Sequence, residues 1–465
     1  MGVAGFDSVA ELALAMIPAH AGALSWEQSV ARGDDPEVDG PALLVVDSSY
    51  SFETLSLRKQ LESVTCRDLD GFFAHVWTVH PLATLVTSSS WTSKYGRPVT
   101  HEINKRHTFI EGKIGRFSAL AALFPVNFLA AQAGLFSSLL RLIRARRISA
   151  IRASDPLYCG LFGLALARTT GVPFLVRVNC NNVRVRKTTG RAIMPRLFRF
   201  SAIERAVERF VLARADWVFA PNDDNLQFAL SSGVPAAKAS ITSFGGLLDS
   251  RHFVPAAKRD SADSDLAELG LGPEPFMLLI GRLIPPKYPD HAVRVADHLL
   301  RNGVAAKLVL VGSGEMEDEL RSLVRSLGIE QQVVFAGDRD QEWLWRVLPR
   351  AALVLSPSTG RALSEAALAA APIVAYDTDW QKDLIENEKT GVLITYGEWH
   401  AMAEAAVTLL TNNGLARRLG AGARARAMDM LDPIAARSEE RSVFAKLLRD
   451  RALLPDGTDE SERID

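Results

Sequence analysis

FMLLIGRLIPPKYPDHAVRVADHLLRNG (276–303) reads as a complete strand, turn and helix. FMLLI is a continuous apolar run of strand length, the pattern of a strand buried on both faces. Gly281 permits a tight turn, and from Tyr288 onward apolar side chains recur at helical spacing until Gly303 closes the helix. The same rhythm continues downstream. AKLVLVGSG (306–314) is a strand and turn, and EMEDELRSLVRSLG (315–328) is a helix closed by Gly328. VVFAG (333–337) and LVLSPS (353–358) are further strands, and SEAALAAA (364–371) is a helix leading to the strand PIVAYD (372–377). Strands that alternate with helices predict an α/β fold with a parallel sheet covered on both faces.

The first half carries the rhythm more faintly. Strands are expected at PALLVVD (41–47), FFAHVWTV (72–79), AIRAS (150–154), PFLVRVN (173–179) and DWVFAP (216–221). Helices are expected at LFGLALARTT (161–170) and AIERAVERFVLARA (202–215). At 465 residues the chain exceeds one ordinary core. The reading is therefore an N-terminal helix and linker (1–40), a first Rossmann-like domain (41–255) and a second (256–430). A last helix (431–452) would cross back to the first domain, and a polar, disordered tail (453–465) would follow. Ligands of such sheets bind at the carboxyl ends of the strands, so a cleft between two facing domains is the expected site.

Composition narrows the function classes. Hydrophobic residues make up 48% and charged residues 23%, with a formal net charge of −1. That is ordinary for a globular protein, and no whole-chain field points to nucleic acid. Cys66, Cys159 and Cys180 are far apart and odd in number, which argues against a disulfide framework or a zinc site and fits a reducing cytoplasm. The apolar start lacks a positive n-region, so a signal peptide is not expected. No residue from Phe117 to Leu140 is charged, a length that could span a bilayer. Pro125, Asn127, Gln132 and several serines dilute it, and a buried helix-rich segment is the expectation.

Chemistry concentrates after the strands of the second half. Arg282 and Lys287 put two cations beyond FMLLI, a fork and a point charge suited to phosphate oxygens. In LVLSPSTGRALSEAALAAAPIVAYD (353–377), Gly360 ends a strand and a helix opens with Ser364 as candidate N-cap. Backbone amides at such a start attract phosphate, and Glu365 can accept from hydroxyls. Each element alone also reads as a solvated basic loop or a capped core helix.

In order and spacing these segments resemble glycosyltransferase family 4, retaining enzymes of the GT-B fold. The resemblance rests on Gly281, Arg282 and Lys287, on VGSGE (311–315), on VVFAG, and on Pro357-Ser358, Glu365-Ala366 and Pro372-Ile373-Val374. It covers residues 200–445 well. It implies that Arg282 and Lys287 contact the donor diphosphate and stabilise the leaving group, and that Glu365 holds the ribose. Asp338 and Arg339 would lie by the base, and Gly360, Arg361, Ala362 and Leu363 would offer amides to phosphate. No metal and no cofactor are implied, the nucleotide-sugar being a substrate. The acceptor would be a saccharide or lipid-linked molecule, used in cell-surface polysaccharide or glycolipid assembly in the cytoplasm or at the inner membrane face.

The chain departs from the family in three places. Its loop before Glu365 is several residues short, so the family's first glutamate is absent, and Arg361 or Ser364 would occupy that space. No Gly-Gly turn follows the first strand in VVDSSYSFETL (45–55). Asn179 stands where many members carry a histidine, and asparagine cannot act as a base; Asn179 and Asp155 are the acceptor-side candidates. These departures keep open a catalytically silent nucleotide-sugar binder that partners an active transferase. An epimerase or hydrolase of the same fold is a further alternative. RVRKTTGRAIMPRLFR (184–199), with six basic and no acidic residues, has two readings, a membrane-surface segment or a mobile interdomain loop. His75, His80, His101 and His107 read as structural, and Trp380 as a packed aromatic.

Overall fold

The computed structural model describes residues 40–83, 92–243 and 247–451. The helix and linker expected at 1–40 (Gly40 apart) and the tail expected at 453–465 lie outside the described residues. Two sheets organise the rest. The first holds β1 (Ala42–Val46), β2 (His75–His80), β3 (Val99–Asn104), β4 (His107–Glu111), β5 (Ala150–Ala153), β6 (Phe174–Arg177), β7 (Trp217–Ala220) and β8 (Ala239–Ile241). Their order is β3-β4-β2-β1-β5-β6-β7-β8, and only β3 runs antiparallel to its neighbour. The second holds β9 (Phe276–Ile280), β10 (Lys307–Val311), β11 (Val333–Gly337), β12 (Leu353–Ser356), β13 (Ile373–Tyr376) and β14 (Val392–Ile394). These six are all parallel, in the order β11-β10-β9-β12-β13-β14.

The apolar runs behave as two-faced strands. In β1 every residue is buried, yet Leu43 and Val45 enter one core cluster and Ala42, Leu44 and Val46 another. In β9 Phe276 and Leu278 face one side, and Met277 and Leu279 the other. Register is shared across each central strand: Leu43 pairs with Val76 and Ala150, and Met277 with Leu308 and Leu353. Each sheet therefore reverses its winding once, between β1 and β5 and between β9 and β12. A crevice opens outside the carboxyl ends at such a switch point, because the two connecting helices leave in opposite directions.

The last helix, Pro433–Asp450, packs on the first sheet, with Asp432 capping its Ile434 amide at 2.8 Å. Phe444 meets the Phe73 ring edge to face at 4.9 Å. Glu440, on the same face, accepts from Arg152 and, at 3.3 Å, from Arg177. All three side chains are buried. Across the cleft, Arg58 pairs with Asp338 at 3.2 Å, Lys59 with Asp340 at 3.0 Å, and the Gln341 amide with the Arg58 carbonyl at 3.1 Å.

Two expectations need correction. The segment from Phe117 is not buried at its start: residues 117–126 are all exposed, with Leu123 at 56% and Val126 at 61%. The helix Phe124–Ala145 covers the sheet only from Ala131 onward, through Leu135, Leu139 and Leu142, so its first turns project past the sheet edge. It is long and apolar enough to cross a membrane by length and composition. The basic segment 184–199 is not a loose loop either. The helix Asn182–Thr189 takes its first part, Arg186 is buried against Glu208 at 2.6 Å, and the Ile193 and Met194 amides donate to Glu204 at 3.0 and 2.7 Å.

Replacing Glu440 strands two buried guanidiniums. Glu440→Ala is expected to cost about 3–5 kcal/mol, the usual range for breaking a buried ion pair from one side. It should appear as a lower urea midpoint, with Glu440→Gln losing less because the amide oxygen still accepts.

Candidate active site

The two switch points face each other, and a cavity of about 300 Å³ opens at the one in the second sheet. The turn after β9 supplies its first wall. Gly281 has φ +153, which side chains seldom adopt, and a Cβ on Gly312 (φ +127) would collide with the Gly281 carbonyl oxygen. The turns after β9 and β10 thus pack backbone to backbone, leaving the outer side of the β9 turn to Arg282. Arg282 is exposed, and its side chain has no hydrogen bond or ion pair among the described residues.

Lys287 ends a short 3-10 turn, Pro285–Lys287, and reaches over the loop after β12. Its Nζ donates to Ser358 Oγ at 3.3 Å and to the Thr359 carbonyl. Burial pushes its pKa down to about 8, and Arg282 beside it pushes the same way against a weaker pull from Asp379. An ammonium so placed gains from any anion that enters.

The second wall is the helix Arg361–Leu368. It begins three residues before Ser364, which corrects the expected N-cap. Gly360 occupies the cap position without a side-chain bond, and Ser364 lies buried inside the helix. The reason is the short loop: β12 ends at Ser356, and the chain has only four residues in which to turn. The amides of the first turn consequently lack a side-chain acceptor; that of Leu363 donates to the Gly360 carbonyl at 3.2 Å, and those of Arg361 and Ala362 stay open to a ligand. Glu365 is buried at 2% exposure, and its Oε1 has no hydrogen-bond partner. An unpartnered buried carboxylate oxygen costs free energy unless a ligand donates to it.

All of Gly281, Arg282, Lys287, Asp338, Arg339, Gly360, Arg361, Ala362, Leu363 and Glu365 line this one cavity. Asp338 accepts from Ser313 at 2.7 Å, and Arg339 donates to the Ala336 carbonyl at 3.0 Å, so both are held at the outer end. Asn179 lies apart, in a neighbouring pocket of about 70 Å³ at the first sheet's switch point. Its Nδ2 donates to the Ser154 carbonyl at 2.8 Å and its Oδ1 is unpartnered. Asp155 lines neither pocket; it accepts from the Leu157 amide at 2.8 Å and shapes the turn after β5. Sequence reasoning missed Tyr50, which lines both cavities, and Asp379, which accepts from Thr359 at 2.8 Å. Tyr50 lies in the turn after β1, where the switch-point rule directs attention; no pattern marked Asp379. His75, His80, His101 and His107 lie in the first sheet, Trp380 is buried in a core cluster, and no group of three metal-ligating side chains occurs among the described residues.

Residues 113–245 match the family described as glycosyl transferase 4-like domain, and residues 263–426 that described as glycosyl transferases group 1, together more than half of the chain. The chain belongs to the family 4 type of glycosyltransferases. D-inositol 3-phosphate glycosyltransferase of Nocardia farcinica is 35% identical over 173 residues, 35% of this chain and 38% of that enzyme. 2-Deoxystreptamine glucosyltransferase of Streptomyces kanamyceticus is 25% identical over 60% of this chain and 72% of that enzyme. The first-named relative and alpha-D-kanosaminyltransferase of the same Streptomyces are thus matched over less than half of their length, 38% and 41%. Among solved structures, sucrose-phosphate synthase of Thermosynechococcus elongatus superposes with a TM-score of 0.68 at 16% identity, covering 88% of this chain and 100% of that one. Anabaena HepE in complex with UDP and glucose gives 0.65 at 17%, covering 87% and 100%. The fold is GT-B.

The state of Lys287 makes anion binding in this glycosyltransferase-family cleft pH-dependent. Below its pKa of about 8 the ammonium form predominates, and above it the charge that attracts a diphosphate is lost. A bound anion raises that pKa, so the dissociation constant for a nucleoside diphosphate should climb by up to about tenfold per pH unit above 8. Titration calorimetry from about pH 7 to 9.5 reads this slope, and Lys287→Arg should flatten it.

Proposed function

We propose that this chain transfers a sugar, with retention of configuration, from a nucleotide-sugar to a saccharide or lipid-linked acceptor in polysaccharide or glycolipid biosynthesis. The observation that carries the reading is one cavity with two cations on one wall and a buried, unpartnered carboxylate on the other. A nucleoside diphosphate is the complement of that arrangement: two phosphates for Arg282 and Lys287, and ribose hydroxyls to donate to Glu365. Asp338 and Arg339 then border the base, and the open amides from Gly360 to Ala362 complete the phosphate site.

In the reaction the bond from the sugar's anomeric carbon to the diphosphate breaks while the acceptor oxygen bonds to the same face. The acceptor's proton passes to the departing phosphate oxygen, giving a glycoside and a free nucleoside diphosphate. Negative charge grows on the leaving group in the transition state, and Arg282 and Lys287 would stabilise it there. Those two cations do the work a metal does in other transferases, so chelators should leave the rate unchanged. Asn179 cannot take the acceptor proton, and its Oδ1 instead accepts from an acceptor hydroxyl.

The first domain is shaped for an acceptor at a membrane face. The exposed run FSALAALFPV (117–126) sits at the carboxyl edge of the first sheet, as do Arg191, Arg196, Arg199 and Phe200. The helices that begin at Phe124, Tyr158 and Ser201 share that edge, and Phe128 joins the first two through Tyr158 at 6.2 Å. No acidic residue occurs from Gly112 to Ser154. An apolar rim beside guanidiniums fits the interface of an anionic bilayer.

A thermal-shift and calorimetric panel of UDP-, GDP- and ADP-sugars tests the donor site. One donor should bind, and Glu365→Ala should weaken it by roughly ten- to a hundredfold, the loss of about 1.5–3 kcal/mol in bonds to a charged group. Donor binding without turnover in any lipid or glycan extract would move the reading to a silent partner of an active transferase. Absence of binding to every donor by folded protein would overturn the site. For the membrane face, the protein should sediment with vesicles of phosphatidylglycerol and phosphatidylcholine. The exposed double variant Leu123→Glu, Val126→Glu should stay in the supernatant, and equal sedimentation of variant and wild type would remove this rim from the proposal.

A further inference from the structure

The donor cavity opens onto the smaller pocket at the first sheet's switch point, and Tyr50 and Arg361 line both. This pocket is cationic. Arg67, Arg152, Arg177 and Arg361 all line it, and among the described residues the carboxylates bonded to them are two. Asp47 accepts from Arg67, and Glu440 is divided between Arg152 and Arg177. Arg177 is buried, its Nε has no partner, and burial together with the charge of Arg152 lowers its pKa. An excess of buried positive charge is costly unless something anionic arrives to share it.

Arg361 has no countercharge at all. It makes no hydrogen bond or ion pair among the described residues, and its guanidinium lies 6.0 Å from the centroid of the Tyr50 ring. It occupies the first residue of an eight-residue helix, where the helix dipole disfavours a cation. Among the described residues no carboxylate pairs with it. Arg282 and Lys287 offer two charges to a diphosphate in the donor cavity, and Arg361 adds a third that also lines the smaller pocket. Arg361 stands where the donor cavity meets the smaller pocket, since it lines both.

We infer that the substrate carries an oxyanion, a carboxylate or phosphate, beside the reacting carbon, and that Arg361 receives it with the positive field of Arg177 behind. The inference rests on the donor-site reading and adds a substrate class to it: a uronic acid as the transferred sugar, or a phosphorylated acceptor. A guanidinium grips either group through two parallel hydrogen bonds. The pocket, at about 70 Å³, has room for such a substituent. Asn179 Oδ1, unpartnered in the same pocket, accepts from a neighbouring hydroxyl.

The test is calorimetry with matched neutral and charged probes. UDP-glucose is compared with UDP-glucuronate, and, with UDP saturating, glucose is compared with glucose 6-phosphate. Lys287→Ala protein is titrated with glucose and glucose 6-phosphate alone, so that the comparison stands even where no nucleotide binds. One charged probe should bind at least about tenfold more tightly than its neutral counterpart, about 1.4 kcal/mol. The preference should vanish in Arg361→Gln and be partly kept in Arg361→Lys. A preference in the first arm assigns the oxyanion to the transferred sugar, and in the second to the acceptor. UDP affinity in each variant reports whether the donor site is intact. Equal binding of neutral and charged probes to wild-type protein would overturn the inference whether or not the nucleotide binds.

Discussion

One buried carboxylate, Glu440, divided between Arg152 and Arg177, fastens the last helix of the chain to the first sheet. The chain leaves the first sheet after β8, builds the second sheet from β9 to β14, and returns through Pro433–Asp450. Two crossings in place of one constrain how far the second sheet can turn against the first. The cleft depends on that constraint, because its donor wall comes from β9 and β12 while Tyr50 and Asn179 come from the first sheet. The contacts of Arg58 and Lys59 with Asp338, Asp340 and Glu342 lie largely in solvent. Such pairs contribute about 0–1 kcal/mol each, enough to bias a closed arrangement and too little to forbid opening for substrate. A buried anchor at the back and weak bridges at the front are what a cleft needs if it is to open without coming apart.

Much of this architecture was legible in the chain because central parallel strands announce themselves. FMLLI, KLVLV and ALLVV are buried on both faces, so they read as uninterrupted apolar runs that little else produces. Edge elements gave no such signal. The hairpin of β3 and β4 is built from VTHEIN and HTFIE, whose polar residues look like loop: one side of the edge strand β3 meets solvent, and β4 buries His107 and Glu111. The start of the segment at Phe117 misled for the opposite reason: its apolar residues look like core, and hydropathy carries no information on whether a helix overshoots its sheet.

The site divides along the same line. Arg282, Lys287 and Glu365 could be named from sequence because short turns after parallel strands leave few residues to choose from, and spacing brings them to one crevice. Ser364 failed as a cap because capping is settled by where the helix begins, and that depends on the length of the loop after β12 rather than on the serine. Tyr50 comes from a turn of the first sheet, and only the approach of the two domains gives it a place in the donor cavity, while Asp379 reaches the site through Thr359 of its own sheet.

The shortened loop has an electrostatic consequence that reaches beyond geometry. A longer loop would carry a carboxylate to the junction; here the helix starts at once, and its first residue delivers a guanidinium. The charge at that point changes sign while the wall behind it, Arg282 and Lys287 on the donor side and Arg177 on the other, stays positive. Lys287 has a pKa lowered by burial first and by Arg282 second. In a cleft partly shielded from water such repulsion persists, since a few ångströms of low-dielectric surroundings screen it poorly. A purely neutral pair of sugars would leave it in place through the whole reaction. An anionic substituent would relieve it in the bound state and orient the substrate at once, which makes the missing acidic loop a change of preference and not merely a loss.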